Sequence, residues 1–147
     1  MNSTFGKYSG YVYAIMRIVL GLLFACHGGQ KILGFPPAAK AMPLDTLGMV
    51  GGYIELICGF LIALGLFTRP AAFLASGMMA VAYFMAHAKG GFFPIVNHGE
   101  SAVIYCFVFL YVFFRGAGPL SLDGLIWREK ATPDAVGGPM RSGRALQ

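Results

Sequence analysis

A handful of residues in this sequence combine proton-handling chemistry with an apolar setting in which that chemistry would matter. Arg17, Glu55 and Glu100 stand within or at the ends of long apolar stretches, and His27, His87 and His98, with Gln30, Lys31 and Asn97, fall near the ends of the same stretches. Neutral imidazoles and a carboxylate at the head of an apolar cavity suit a redox-active ring such as a quinone, because they hydrogen-bond its carbonyls and exchange the protons that accompany its reduction. Tyr83 lies one helical turn before His87. The candidate ligand-binding residues are therefore His27, Lys31, Tyr83, His87, Asn97 and Glu100. Each has a plainer alternative. Asn97-x-x-Glu100 also reads as a helix capping box, His98 as a solvated loop residue, and His27 and His87 as partners of backbone or lipid headgroups.

Other chemistries lack their residues. Two histidines at similar depth on different helices would in principle ligate a b-type haem, but the sequence has no HxxxH, ExxH or CxxCH, so neither a metal nor haem or flavin is expected. The glycines follow no strand and form no phosphate-binding loop, and no nucleophile triad is recognisable. No catalytic residue is assigned, and no motif would support catalysis by this chain alone. Cys26, Cys58 and Cys106 lie in apolar runs at different depths without a CxxC pair, which reads as small core residues rather than a disulfide framework.

The elements that must position these groups are membrane helices. Of the 147 residues 57% are hydrophobic and 12% charged, and the mean hydropathy is +0.69. An ordinary soluble domain carries about 25% charge, and a disordered chain needs low hydrophobicity with high net charge. Both classes are excluded, and the length allows about four crossings and no separate soluble domain. The apolar segments are 11–27, 47–67, 70–88 and 101–114, the last lengthened by Gly99 and Glu100. Asp45 or Thr46 can cap the second, Thr68 followed by Pro70 can open the third, and Asn97 can cap the fourth. The fold class expected is an all-α, integral-membrane four-helix up-down bundle, with a short interfacial helix around Leu122, Leu125, Ile126 and Trp127 and a disordered basic tail over 131–147.

Charge placement sets the orientation. Lys7, Arg69, Arg115, Arg128, Lys130, Arg141 and Arg144 fall on one side, against Lys31, Lys40 and Lys89 on the other. The positive-inside rule then puts both termini in the cytoplasm of a bacterial or archaeal cytoplasmic (inner) membrane. The net charge of +5 serves this purpose and does not indicate nucleic acid.

Within the spans, small and polar residues recur at three-or-four spacing: Ala14, Arg17, Gly21, Ala25 and Gly28; Gly48, Gly51, Gly52, Glu55 and Gly59; Ser76, Ala80, Tyr83 and His87; and Glu100, Ile104, Phe107 and Tyr111. These stripes are expected to face the bundle interior. Measured from His27 and from the start of the second segment, Arg17 and Glu55 fall at similar depths, roughly 15 and 12 Å in, so a buried Arg17–Glu55 ion pair is expected.

Taken in order, Arg17-x-x-Leu20-Gly21, His27-Gly28-x-x-Lys31, Gly51-Gly52-x-x-Glu55, Gly59, Gly65-x-x-Thr68-Arg69, His87, Asn97-x-x-Glu100 and Gly116-x-Gly118-Pro119-x-Ser121-Leu122-Asp123 resemble the DoxX family of small bacterial and archaeal membrane proteins. The resemblance covers about residues 8 to 126 and makes 1–130 one DoxX-like transmembrane domain. It implies an inner-membrane protein of redox chemistry, similar to the small subunit of thiosulfate:quinone oxidoreductase, to a mycobacterial protein that joins a superoxide dismutase and a sulfurtransferase, or to proteins induced by quinone and thiol stress. By motif position it marks Arg17, His27, Lys31, Glu55, His87, Asn97, Glu100 and Asp123. Three functions follow as expectations: a quinone-linked subunit with a soluble or membrane oxidoreductase partner, a scaffold or chaperone for soluble redox enzymes, and a small-molecule or proton-coupled transporter. Lipid contact is expected throughout, and association into homo-oligomers is compatible with exposed apolar sides.

Overall fold

The computed structural model describes residues 6–37 and 45–126, and among these every regular element is helical. A 3₁₀ turn, Gly6–Tyr8, leads into α1, Ser9–Ile32. α2 spans Thr46–Leu64 and α3 Thr68–Ala82, which continues through a π turn, Tyr83–His87, and a 3₁₀ turn, Ala88–Gly90. The short α4, Pro94–Asn97, precedes α5, Glu100–Arg115, and α6, Leu122–Ile126. Three stretches, Gly6–Ile32, Thr46–Leu64 and Thr68–Gly90, are long and apolar enough to cross a membrane. Trp127, Arg128, Lys130 and the tail expected over 131–147 lie outside the described residues.

The glycine stripes of α1 and α2 face one another. A Cβ on Gly21 would lie 2.7 Å from the Ala63 nitrogen, and one on Gly59 2.5 Å from the Ala25 nitrogen. The backbones therefore touch, in antiparallel register, as small residues allow where lipid offers no hydrophobic driving force. α3 meets α5 through Ser76, whose hydroxyl donates to the Cys106 carbonyl at 2.8 Å, and through the rings of Phe73 and Phe113. Phe24 of α1 reaches α5 by ring contacts with Tyr105 and Phe109, centroids 5.2 and 4.8 Å apart. Large exposed apolar residues such as Val12, Ile57, Phe73 and Phe107 cover the outside.

One stripe is turned the other way from expectation. Glu100, Ile104, Phe107 and Tyr111 are all exposed, while Ala102, Tyr105, Phe109 and Val112 are buried. Both stripes of α5 are apolar at helical spacing, so hydropathy alone does not separate the packed face from the outward one; fit against Phe24 does.

The α2–α3 connection is the most heavily tied point. Gly65 (φ 67°) ends α2 with its N–H on the Ile62 carbonyl and that of Leu66 on Leu61, a Schellman closure. A Cβ there would also fall 2.5 Å from that of Ser121. Asp123 caps α3 from a distance: its carboxylate accepts from the Phe67 and Thr68 N–H groups and from the Thr68 hydroxyl at 2.8–2.9 Å. Its own N–H donates to the Gly65 carbonyl at 2.8 Å. Asp45 caps α2, accepting from the Gly48 N–H at 2.8 Å, as the sequence indicated.

Candidate functional site

Arg17 and Glu55 do not pair. Arg17, fully buried, donates through Nη1 to the carbonyls of Ile62 and, at 2.9 Å, Ala63, and through Nη2 to that of Leu120 at 2.8 Å. Those first two carbonyls belong to the last turn of α2, where intrahelical partners run out and the helix dipole favours a cation. The expected pair fails on depth. α1 runs past His27 to Ile32, and the packing register puts Glu55 about ten residues of α1, roughly 15 Å, beyond Arg17.

Glu55 instead takes the Lys31 ammonium, Nζ to Oε1 2.7 Å. Glu55 is 5% exposed, and its other oxygen, Oε2, is buried with no hydrogen-bond partner among the described residues. Both side chains line a cleft of about 700 Å³ between α2 and α3. Ile54, Leu74, Met78 and Val81 form its apolar walls, and Asp45 and Lys89 join Lys31 at its mouth. A fixed ammonium, a carboxylate oxygen with spare accepting capacity and an apolar body make a site for a ligand with a polar head and apolar frame. A ring ligand bearing both an acceptor oxygen and a hydroxyl would meet this set, the oxygen accepting from Lys31 and the hydroxyl donating to Glu55 Oε2.

The other candidates gather elsewhere. Tyr83 donates from its hydroxyl to the Phe92 carbonyl and accepts from Asn97 Nδ2 at 3.3 Å, while His87 Nδ1 lies 3.2 Å from the Asn97 carbonyl oxygen. Asn97 also donates to Gly91 at 2.7 Å and accepts from the Gly99 N–H at 2.8 Å. These three residues hold together the chain between the π turn and α5. The Asn97-x-x-Glu100 capping box does not form: α5 begins at Glu100 itself, with Gly99 as its cap residue. Glu100 is exposed there, and His27, also exposed, sets its ring edge against Tyr105 with centroids 6.1 Å apart. None of Tyr83, His87, Asn97, Glu100 and His27 lines the cleft. No group of three or more His, Cys, Asp or Glu side chains among the described residues is placed to hold a metal, and their three cysteines are free.

Asp45, Lys89 and Gly77 of the cleft were not singled out from sequence. Gly77 carried a usable signal, an isolated glycine inside an apolar helix. In the sequence Asp45 reads only as a cap and Lys89 only as a loop charge.

Asp123, marked by motif position, acts at the opposite end from the cleft. Partial burial pushes its carboxyl up, but the hydrogen bonds from Thr68 and Phe67 and the charge of Arg17 outweigh this and hold it below its ordinary value.

A family model, DoxX, matches residues 12–88. Two proteins of Haemophilus influenzae, each described only as uncharacterized, are similar along most of their length: one is 43% identical over 129 residues, covering 84% of this chain and 96% of its own. The other is 32% identical over 128 residues, covering 80% of this chain and 85% of its own. No solved structure matches.

Proposed function

The chain belongs to the DoxX family of membrane proteins, and from that premise together with the α2–α3 cleft we propose that it is the quinone-binding membrane subunit of a redox system. The observation that carries this reading is the buried Glu55 carboxylate, one oxygen held by Lys31 and the other unpartnered, at the polar end of an apolar cleft. A buried acceptor without a partner is costly to leave unmade, on the order of 1–3 kcal/mol. The hydroxyl of the reduced, quinol form would supply the missing bond. The quinone, when bound, supplies the two-electron, two-proton couple that no side chain here provides. Lys31 orients the ring by donating to one of its oxygens, and Glu55 Oε2 would accept the hydroxyl of the quinol form, taking its proton when the ring is oxidised and returning it when the ring is reduced. The apolar walls exclude water, so this exchange runs through Glu55 and the mouth of the cleft.

In the same reading α1, α2, α3 with its π turn, and α5 cross the cytoplasmic membrane as an up-down bundle, with Lys7, Arg69 and Arg115 on the cytoplasmic side and the cleft opening toward the outer side. A separate oxidoreductase partner exchanges electrons with the bound quinone.

Protein purified into nanodiscs of native lipid is expected to retain quinone or to take it up when added. Lys31→Met lowers that affinity, and Glu55→Gln lowers the affinity for the quinol form, each by about tenfold or more for one lost charge-assisted hydrogen bond. Wild-type protein that retains none and binds none added back removes the reading, and leaves recruitment of soluble redox enzymes as the function to pursue.

A further inference from the structure

α3 and α5 end at different levels. Ser76 of α3 meets Cys106 of α5, hydroxyl to carbonyl at 2.8 Å. Seven residues further along α3 and seven back along α5, Gly99 lies against the Tyr83 ring, so closely that an added Cβ would fall 2.8 Å from it. α5 therefore starts level with Tyr83, while α3 continues through its π and 3₁₀ turns to Gly90, roughly 10 Å further. The lengths differ accordingly. Thr68–Gly90 is long enough to cross a membrane, whereas the 16 residues of α5 cover roughly 24 Å of a hydrocarbon layer about 30 Å thick. Beside the last turns of α3, where α5 is missing, the connection 91–98 folds back.

This connection carries a membrane-like surface. Phe92, Phe93, Ile95 and Val96 are 64–73% exposed, and its neighbours present surface of the same kind, Phe84 and Met85 on the π turn and Ile104 and Phe107 on α5. Backbone that approaches hydrocarbon must have its polar groups met by protein rather than water. Here the Phe92 carbonyl accepts from the Tyr83 hydroxyl, and that of Gly91 from Asn97 Nδ2 at 2.7 Å. The N–H groups of Val96 and Asn97 donate to the Phe93 carbonyl at 3.0 and 3.1 Å, and that of Gly99 to the Pro94 carbonyl at 3.0 Å. His87 Nδ1 stands 3.2 Å from the Asn97 carbonyl oxygen, and Pro94 has no N–H to satisfy. We propose that 91–98 is an interfacial anchor, sunk into the headgroup–acyl boundary of the leaflet at the cleft end, with phospholipid acyl chains covering Phe92, Phe93, Ile95 and Val96. Tyr83, His87 and Asn97 supply the polar contacts that water gives an ordinary loop, and the anchor makes up the length that α5 lacks. Nothing in this depends on what the cleft binds.

The test places a single tryptophan on the segment. In a Trp127→Phe background, which removes the sole native tryptophan, Phe93→Trp and Ile95→Trp proteins are assembled into phosphatidylcholine nanodiscs with plain or brominated acyl chains. Phe107→Trp, on the exposed face of α5, serves as the lipid-contact control. Both anchor tryptophans are expected to lose fluorescence to brominated lipid as the control does, and to lose more when the bromine sits near the headgroup end of the chain than near its methyl end. Circular dichroism melts check that each variant keeps the wild-type fold, and two positions guard against a local failure at one. As a second readout, in nanodiscs of protein lacking its three cysteines, Phe92→Cys and Val96→Cys should stay unlabelled by a water-soluble maleimide over the time in which Lys89→Cys reacts to completion. Tryptophans quenched by acrylamide and untouched by brominated lipid would put the segment in water and overturn the anchor. Tryptophans shielded from both quenchers would overturn it equally, placing a second copy of the chain over this face.

Discussion

Arg17 and Glu55 are both buried charges, and they take different kinds of partner. Arg17 has given Nη1 and Nη2 to three backbone carbonyls, with Nε buried and unpartnered among the described residues. Glu55 has given away half of its carboxylate and kept the other half. Their types and approximate burial were legible in the sequence; their partners were not, because a partner depends on helix ends and register that a hydropathy pattern locates only to within a turn or so. Asp123 completes the support. Its carboxylate, held below its ordinary value by the Thr68 and Phe67 hydrogen bonds and by Arg17 against an opposing push from burial, stabilises the folded state only while ionised. Because the folded-state value is the lower one, that stability is fully present above the unfolded value of about 3.9 and is lost as pH falls through the folded value. Asp123→Ala is expected to cost about 1–2 kcal/mol at neutral pH, the range for a lost helix cap. In thermal melts of detergent-solubilised protein, the gap between wild type and variant should hold steady from about pH 7 to pH 5 and close in stronger acid. A gap that persists unchanged in strong acid would show that the carboxylate charge contributes nothing.

At the scale of the element, α1 and α2 form one closely joined pair, with α3 and α5 a second, and the cleft lies where α2 of the first faces α3 of the second. The first pair was readable from glycine spacing because small residues at every turn admit only one use of that face. The face of α5 was not readable, since Phe107 and Phe109 are the same residue type on opposite sides, one exposed and one buried. The π turn at Tyr83–His87 was not readable either. Nothing in its residue types differs from an α-helical turn, and the Tyr83, His87 and Asn97 contacts that accompany it join residues ten or more positions apart. Matched substitutions separate a glycine packed on a backbone from one facing open space. Gly21→Ala pushes a methyl group into the α2 backbone and should destabilise by about 1–3 kcal/mol, the usual range for overpacking. Gly77→Ala meets open space and should be neutral or stabilising by up to about 1 kcal/mol from helix propensity. Equal melting temperatures for the two variants would mean that the α1–α2 contact gives way without cost.

Taken as a whole, the molecule has two chemically different ends, and its direction across a membrane follows from how many of its cations are free. Arg17 is fully buried on carbonyls and Lys31 is paired with Glu55, so neither counts toward orientation. Among the described residues that leaves Lys7, Arg69 and Arg115 at the end holding the α2–α3 turn, against Lys89 at the cleft end. Free positive charge resists translocation, so the orientation we propose keeps the turn end in the cytoplasm and turns the mouth of the cleft outward. On the proposed reading of the cleft, that orientation would make protons exchanged at Glu55 come from or go to the outer side, with the Arg17 and Asp123 supports on the cytoplasmic side. In a background with Cys26, Cys58 and Cys106 replaced by Ala, a single cysteine at Lys89→Cys should react with a membrane-impermeant maleimide in intact cells. One at Lys7→Cys should react only after the membrane is opened. The reverse labelling pattern would turn the molecule over, putting proton exchange at Glu55 on the cytoplasmic side.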